Sequence, residues 1–144
     1  MTTPTLAHAQ AAARLRVAIV RVSRHLRQTS AGDLTLSQWS ALGTVETHGP
    51  IRIGDLADRE GVSAATATRL VAALEQQRLV AREADPSDGR SWRVSLSTAG
   101  RAKLEWARRR RTERLAQRLS TLPPDDVTRL LDALPVLEAL VADE

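Results

Sequence analysis

Apolar side chains recur at the helical period in the middle of the chain, over residues 63–77. The spacing is i, i+3, i+4 and i+7, which predicts an amphipathic helix. Its apolar positions are Ala67, Leu70, Val71 and Leu74. Ser63 stands where an N-cap acceptor is needed, and Ala65, Thr66 and Arg69 point away from the apolar face. Small and hydrogen-bonding residues followed by a forked cation are typical of a helix that enters a DNA groove.

Capping and turn signals place two more helices before this one. Thr35 and Gln38 have the spacing of a capping box, which predicts a helix ending at Gly49-Pro50. The apolar link 51–53 is a candidate strand, and residues 54–60 form a two-turn helix. Only Gly61-Val62-Ser63 separates that helix from the next. So tight a junction predicts a helix-turn-helix, although a generic pair of helices has a similar pattern.

A hairpin pattern follows the helix of 63–77. Residues 79–83 and 92–96 alternate between apolar and polar positions, and residues 84–91 between them are rich in turn formers. The pattern predicts a β-hairpin with an extended tip that carries Arg90. We expect Asp88, two residues earlier, to anchor this hairpin by pairing with an arginine. A helix-turn-helix followed by a hairpin is a winged helix.

Amphipathic patterns also mark both ends of the chain. An apolar face with arginines around it predicts a helix from about Ala9 to Thr29. Ser97 caps a helix that runs to about Ser120, and a last helix with a broad apolar face extends to Val141. Pro135 is expected to kink or divide that last helix. A domain of this size cannot cover both terminal faces, which indicates an interface.

Composition limits the classes of function. The 144 residues are 42% hydrophobic and 26% charged, as in folded proteins. All but one of the 21 basic residues are arginine, and the net charge is +4. Arginine binds phosphate and base edges, but a high-GC genome produces the same bias. The absence of cysteine excludes disulfides and thiolate metal sites. With no leader pattern and no apolar window of membrane length, we expect a cytoplasmic protein without a membrane partner.

Enzymatic constellations are absent from the sequence. His8, His25 and His48 lie far apart and lack the spacing of metal ligands. No order of Ser, His and Asp typical of a nucleophilic site stands out, and the glycines fall at turns and not in a phosphate loop. We therefore predict no enzyme activity, no cofactor and no metal site.

The recognition-helix and wing patterns together resemble the MarR family of bacterial transcriptional regulators. The resemblance lies in two stretches. One runs from Gly61-Val62-Ser63 through Thr66 and residues 68–71 to Leu79-Val80; the other, from Asp85 to Gly100, is similar to the family's wing signature. Two positions depart from the pattern. Arg78 stands where glycine is usual, and a left-handed backbone there would add roughly 1 kcal/mol of strain. Arg52 stands where a capping Ser or Thr is usual.

This resemblance implies a mainly α fold with a small β-wing, a winged helix-turn-helix with N- and C-terminal dimerisation helices. Residues 1–34 would form the N-terminal dimerisation helix, 35–97 the DNA-binding region, and 98–144 the C-terminal linker and dimerisation helices of a single structural domain. The recognition helix would span about 63–77 and the wing about 80–96. The implied function is that of a homodimeric repressor on a pseudo-palindromic operator, released by a small ligand.

Candidate DNA contacts divide into base reading and phosphate positioning. Arg69 is the candidate for guanine O6 and N7, worth roughly 1–3 kcal/mol of discrimination. Ala65 and Thr66 are small enough to contact a thymine methyl or a phosphate. Ser63 is a candidate hydrogen-bond donor to a DNA phosphate. Arg90 is long enough to enter a narrow minor groove, where negative potential is concentrated.

Arg108 and Arg111 fall in register with the apolar side of the helix that follows the wing. Either they reach solvent where helices cross, or they face a cleft between the dimerisation helices and the winged helix. In the second case they would hold an anionic or phenolic effector.

The function we predict is a sequence-specific regulator that binds double-stranded DNA. Two alternatives stay open at this point. One is an architectural DNA-binding protein with low sequence specificity, and the other is a winged-helix module for protein–protein interaction.

Overall fold

The computed structural model describes residues 5–28 and 33–142, which contain six helices and three strands. The elements are α1 (Leu6–Gln28), α2 (Leu36–His48), β1 (Ile51–Arg52), α3 (Ile53–Glu60), α4 (Ala64–Gln76), β2 (Val80–Asp85), β3 (Asp88–Leu96), α5 (Thr98–Leu119) and α6 (Pro124–Ala139). The predicted mainly α fold with a small β-wing is confirmed. α1 starts at Leu6 and not near Ala9, and its predicted end at Thr29 lies outside the described residues.

Local hydrogen bonds explain where α2 and α5 begin. Gln38 N donates to Thr35 Oγ1 over 3.2 Å, and Thr35 N donates to Gln38 Oε1 over 2.8 Å, so the predicted capping box is confirmed. Ser97 caps α5 in the same way, because its Oγ accepts from Gly100 N at 2.9 Å. Both helices therefore start at the predicted residues.

The core lies between the helix-turn-helix and a three-stranded antiparallel sheet of order β1-β3-β2. Its largest fully buried side chains come from α2, α3, α4 and β3, and they are Leu42, Val45, Leu56, Val71, Leu74 and Val94. Ile51 pairs with Val94, which confirms the link after Pro50 as a strand. Ile53 instead begins α3. This core fixes the sheet against the helix-turn-helix.

The wing is formed by β2 and β3. The strands extend further than predicted, and only Pro86-Ser87 turns between them. Asp85 pairs with Asp88, but the next pair is Ala84 with Trp92, so β3 carries an irregularity at residues 89–91. The extended tip of the sequence prediction is therefore a short turn followed by this bulge, which contains Arg90.

The sequence departs from the family pattern at Arg78 and Arg52, and the structure gives the backbone conformation at both positions. Arg78 has φ = 59°, so its backbone is left-handed and the strain considered for this position applies. Arg52 occupies the N-cap of α3 and makes no side-chain cap bond there, so α3 starts without the cap that Ser or Thr would provide.

Neither α1 nor α6 buries any of its described side chains. α6 runs as one helix through Pro135, so that residue does not divide it. Large apolar side chains are exposed on α1 and α6, among them Ile19, Val22, Leu130, Leu131, Leu134 and Val136. In the described part of the chain, no helix combines the length and apolar character that crossing a bilayer requires.

Candidate nucleic-acid interface

The helix α4 presents one face to the core and the other to solvent. Ala67, Val71 and Leu74 are completely buried. The opposite side exposes Ser63, Ala65 and Arg69, with Thr66 half-buried beside them. Because the buried residues fix the rotation of the helix, its N-terminal half projects these four side chains outward together.

Hydrogen bonds link the polar members of this surface. Ser63 Oγ accepts from Thr66 N at 3.2 Å, as an N-cap does, and the two hydroxyls lie 3.0 Å apart. Arg69 Nη2 donates to Thr66 Oγ1 over 3.4 Å. The guanidinium is thus directed along the helix toward its N-terminus, where the helix dipole also favours an anion. This arrangement suits both a phosphate and the acceptor edge of a guanine.

On the wing, Arg90 is exposed and Asp88 lies next to it. Arg90 N donates to Asp88 Oδ1 and Ser91 Oγ donates to Asp88 Oδ2, each over 3.1 Å. The expectation that Asp88 pairs with an arginine is wrong, because both of its oxygens accept bonds within its own bulge. Its role is local, since it holds the backbone that carries Arg90.

The carboxylate that does bind arginines is Asp85, which is only 2% exposed. It accepts from Ser87 N at 2.9 Å and Ser87 Oγ at 2.8 Å, from Arg52 Nε at 2.5 Å, and from Arg93 Nη2 at 3.1 Å. The bond from the Ser87 amide, with those from its hydroxyl and the two guanidinium groups, holds the pKa of Asp85 well below its usual range. The sequence signal that points to it is its place before proline in the turn.

A further ion pair ties the wing to α4. Arg82 Nε of β2 lies 2.9 Å from Glu75 Oε2 near the end of α4. The wing and α4 therefore share this contact in addition to the common core.

Arg108 and Arg111 have different surroundings. Arg108 Nη1 donates to Glu46 Oε1 over 3.0 Å where α5 crosses α2, and this pairing lowers the pKa of Glu46. Arg111 lies over Trp39, with 6.0 Å between its guanidinium carbon and the ring centroid. It lines a cavity of about 480 Å³ together with Arg24, Arg27, Leu36, Trp39 and Ser40. Arg108 thus lies where α5 crosses α2, and Arg111 lines a cavity between α1 and α2.

Comparisons with known proteins match this geometry. The model of the MarR family matches residues 34–92, from the residue before the α2 cap to the middle of the wing. An HTH-type transcriptional regulator of Mycobacterium tuberculosis is 40% identical over 134 residues, which are 92% of this chain and 94% of that protein. The chain belongs to the MarR family. It is accordingly a DNA-binding transcriptional regulator and not an enzyme.

Solved structures agree with the MarR-family fold. A transcriptional regulator from Thermotoga maritima superposes with a TM-score of 0.80 at 27% identity, covering 93% of this chain and 96% of that one. A mutant of MepR from Staphylococcus aureus, solved bound to an oligodeoxyribonucleotide, gives a TM-score of 0.70 at 22% identity over 90% and 97% of the two chains. At that identity the second likeness concerns the fold alone.

The histidines of this MarR-family chain contact arginines or the helix start. His48 Nε2 lies 3.3 Å from Arg59 Nη1, and His25 Nε2 lies 3.1 Å from Arg118 Nη2. His8 Nδ1 accepts from Thr5 N at 3.2 Å. Within residues 5–28 and 33–142, no cluster of three or more His, Asp or Glu side chains has a geometry suited to a metal ion.

Proposed function

We propose that this MarR-family regulator is a homodimeric repressor that binds a pseudo-palindromic operator and is released by a small anionic or phenolic ligand. The observation that carries the proposal is the outward face of α4. Its N-terminal half is free of core contacts at Ser63, Ala65 and Arg69, while its other side is locked into the core. A helix held in this way suits insertion into a major groove.

The chemistry of each side chain on α4 and the wing determines which part of the DNA it contacts. Arg69 reads guanine O6 and N7 through its forked donors, and Ala65 and Thr66 contact a thymine methyl or a phosphate. Ser63 gives its hydroxyl to a phosphate. Arg90 enters the adjacent minor groove. Within the wing, Asp88 holds the backbone of Arg90 by accepting from its amide. The MepR mutant bound to an oligodeoxyribonucleotide shows that a protein of this fold binds DNA.

A second copy of the chain is the partner that the terminal helices favour. α6 buries none of its described side chains. It exposes large apolar residues such as Leu131 and Val136, and α1 also exposes apolar residues such as Ile19. Exposed apolar surface of this kind is covered in stable proteins. In such a dimer, two copies of α4 would read half-sites about 34–36 Å apart or a multiple of that distance. The division into residues 1–34, 35–97 and 98–144 belongs to this proposal.

The cavity beside Arg111 is the candidate effector site. Its volume of about 480 Å³ is suitable for a small aromatic ligand. Trp39 offers a ring face, and Arg24, Arg27 and Arg111 offer positive charge for a carboxylate or phenolate. Arg108 binds Glu46 and is not among the residues that line this cavity. We assign the direct contact to Arg111, because it lines the cavity beside Trp39, with Arg108 next to it on α5.

The deciding experiment is selection of binding sites from a random duplex library by the full-length protein, followed by competition with unrelated DNA at physiological salt. A regulator keeps a specificity ratio of roughly 10³ or more. A ratio near one indicates an architectural DNA-binding protein, and absence of binding indicates a protein-interaction module. Sedimentation of the protein with and without its selected site gives the number of chains on the DNA.

A further inference from the structure

Arg52 occupies a position that normally serves helix capping but uses its side chain elsewhere. It is the last residue of β1 and the N-cap of α3, with φ = −68° and ψ = 148°. No side-chain bond from Arg52 closes the start of α3. Its guanidinium extends instead along the sheet to the wing.

Two contacts attach Arg52 to opposite ends of the wing turn. Arg52 Nε donates to Asp85 Oδ2 over 2.5 Å, and Arg52 Nη2 donates to Ser87 Oγ over 3.0 Å. Arg93, from the middle strand, binds the other oxygen of the same buried carboxylate at 3.1 Å. A forked guanidinium that donates in two directions resists both sliding and twisting of the turn.

The same turn leads directly to Arg90. Asp85 pairs with Asp88 across the hairpin, and the Asp88 carboxylate accepts from Arg90 N at 3.1 Å. Arg52 is therefore connected to Arg90 through Asp85 and Asp88. It is also the residue from which α3, the first helix of the helix-turn-helix, begins.

We propose that Arg52 is a positioning residue for DNA binding: it fixes the wing turn to the helix-turn-helix, and so sets where Arg90 lies relative to the recognition helix. It acts through Asp85 and not by touching DNA. This inference rests on the proposed use of Arg90 in the minor groove. The Arg52 side chain is 44% exposed, which would also suit a phosphate contact, and the test separates the two roles.

The main variant is Arg52→Ser in the full-length protein. Serine is a favoured N-cap residue, so this change gives α3 a cap while it removes the bridge to the wing. Arg109→Ala is the matched control, since it removes one positive charge from an exposed position on α5. Arg52→Lys keeps the charge but lacks the fork.

The first measurement is amide hydrogen exchange in the absence of DNA. Ser87 N and Arg90 N donate to the two aspartates of the wing, so they report its order. We expect both amides to exchange about tenfold faster in Arg52→Ser and in Arg52→Lys, with the amides of α4 unchanged. Unchanged exchange at Ser87 and Arg90 would overturn the proposal, as would wild-type behaviour of Arg52→Lys.

The second measurement is a double-mutant cycle on the DNA selected by the wild-type protein. Arg52→Ser and Arg90→Ala should each weaken binding about tenfold, and the double variant no more than about twofold beyond Arg90→Ala. A hundredfold loss in the double variant would show independent contributions and overturn the positioning role. If Arg52→Ser does not fold, Arg52→Lys takes its place in the cycle.

The two measurements distinguish this inference from the proposed function. If the wild-type protein selects no site, the proposed function fails and the positioning role in DNA binding fails with it. Exchange at Ser87 and Arg90 then still tells whether Arg52 orders the wing. If the wild type selects a site and the cycle is additive, only the role of Arg52 is wrong.

Discussion

The carbonyl oxygen of Leu79 packs against Gly100, in the space where any other residue would place its Cβ. The same oxygen accepts from Ser97 N at 3.0 Å, and Ser97 Oγ donates to Arg78 O over 2.6 Å. The start of α5 is thus docked on the two residues that connect the turn after α4 to β2. This contact joins the recognition helix to the long helix behind it.

Gly100→Ala should destabilise the protein by about 2–3 kcal/mol, because the new methyl group meets backbone that cannot move aside. Gly43→Ala is the control. A Cβ at Gly43, inside α2, meets no heavy atom within 4 Å, so alanine should stabilise by about 0.5–1 kcal/mol. Urea unfolding of both variants measures the difference. Equal effects of the two changes would refute the tight docking of α5.

Arg78→Gly should increase the free energy of unfolding by about 0.5–1 kcal/mol. Left-handed backbone at φ = 59° costs a non-glycine residue roughly 1–2 kcal/mol, part of which is offset by the entropy of glycine in the unfolded chain. Gln77→Gly, at φ = −85°, relieves no such strain and should not stabilise. Thermal unfolding of the two variants at one protein concentration tests this, and stabilisation by Gln77→Gly would contradict it.

Asp85→Asn should loosen the wing at neutral pH, and the difference from wild type should shrink in acid. The folded state lowers the pKa of Asp85 from its ordinary value of 3.8, so the ionised group stabilises the fold above that pH. The stabilisation is lost as the pH falls below about 3.8 toward the lower folded pKa. Unfolding followed from pH 7 to acid measures this trend.

Asp88→Asn is the control for that experiment, because it changes the same turn at a carboxylate that accepts from the Arg90 amide and the Ser91 hydroxyl and from no arginine side chain in the described structure. It should lower the free energy of unfolding at pH 7 less than Asp85→Asn does, because it breaks no hydrogen bond to a guanidinium. A larger loss from Asp88→Asn would make Asp88 the anchor of the wing.

Arg69→Ala and Arg90→Ala should damage DNA binding in different ways. Loss of a base contact at Arg69 should relax preference at one base pair, at a cost of about 1–3 kcal/mol. Loss of Arg90 should weaken binding more evenly across sequences and reduce the salt slope by about 1. Binding to the selected site and its single-base variants at several salt concentrations distinguishes them. Negligible effects of both changes would contradict the interface.

Arg111→Ala should reduce the release of DNA by benzoate, a simple aromatic carboxylate, at least tenfold, because the cavity loses a cation facing Trp39. The operator affinity without benzoate should stay within about twofold of wild type. Arg108→Ala, three residues away and paired with Glu46, should retain more of the response. Fluorescence anisotropy of labelled operator during benzoate titration measures all three proteins. An unchanged response in Arg111→Ala would remove that residue from the effector site.

Local signals in the sequence predicted the starts of α2, α4 and α5 and the presence of the wing. Thr35, Ser63 and Ser97 act on amides within three residues, so their spacing alone indicates the cap. The partner of Asp85 was not predictable in this way. Asp85 and Asp88 lie in one turn, and the choice between them depends on Arg52, which comes from 33 positions earlier in the chain.

The contacts of Arg108 and Arg111 on α5 also depend on residues that are distant in the chain, so local sequence signals do not predict them. Arg108 and Arg111 are three residues apart and therefore lie on nearly the same side of the helix. Which of them meets Glu46 and which meets Trp39 depends on how α5 crosses α2. A periodic pattern gives the face of a helix but not the crossing point.

The docking of α5 on Leu79 has a mechanical consequence. α5 has 22 residues, and at ~1.5 Å per residue it is a rod of about 33 Å. If its far end is held, a tilt of only about 5° moves the docked end by ~3 Å, close to the ~3.4 Å that separates neighbouring base pairs. The close contacts of Gly100 and Ser97 would transmit that displacement to α4. A tilt of α5 by a few degrees would therefore shift the recognition helix by about one base-pair step relative to the DNA.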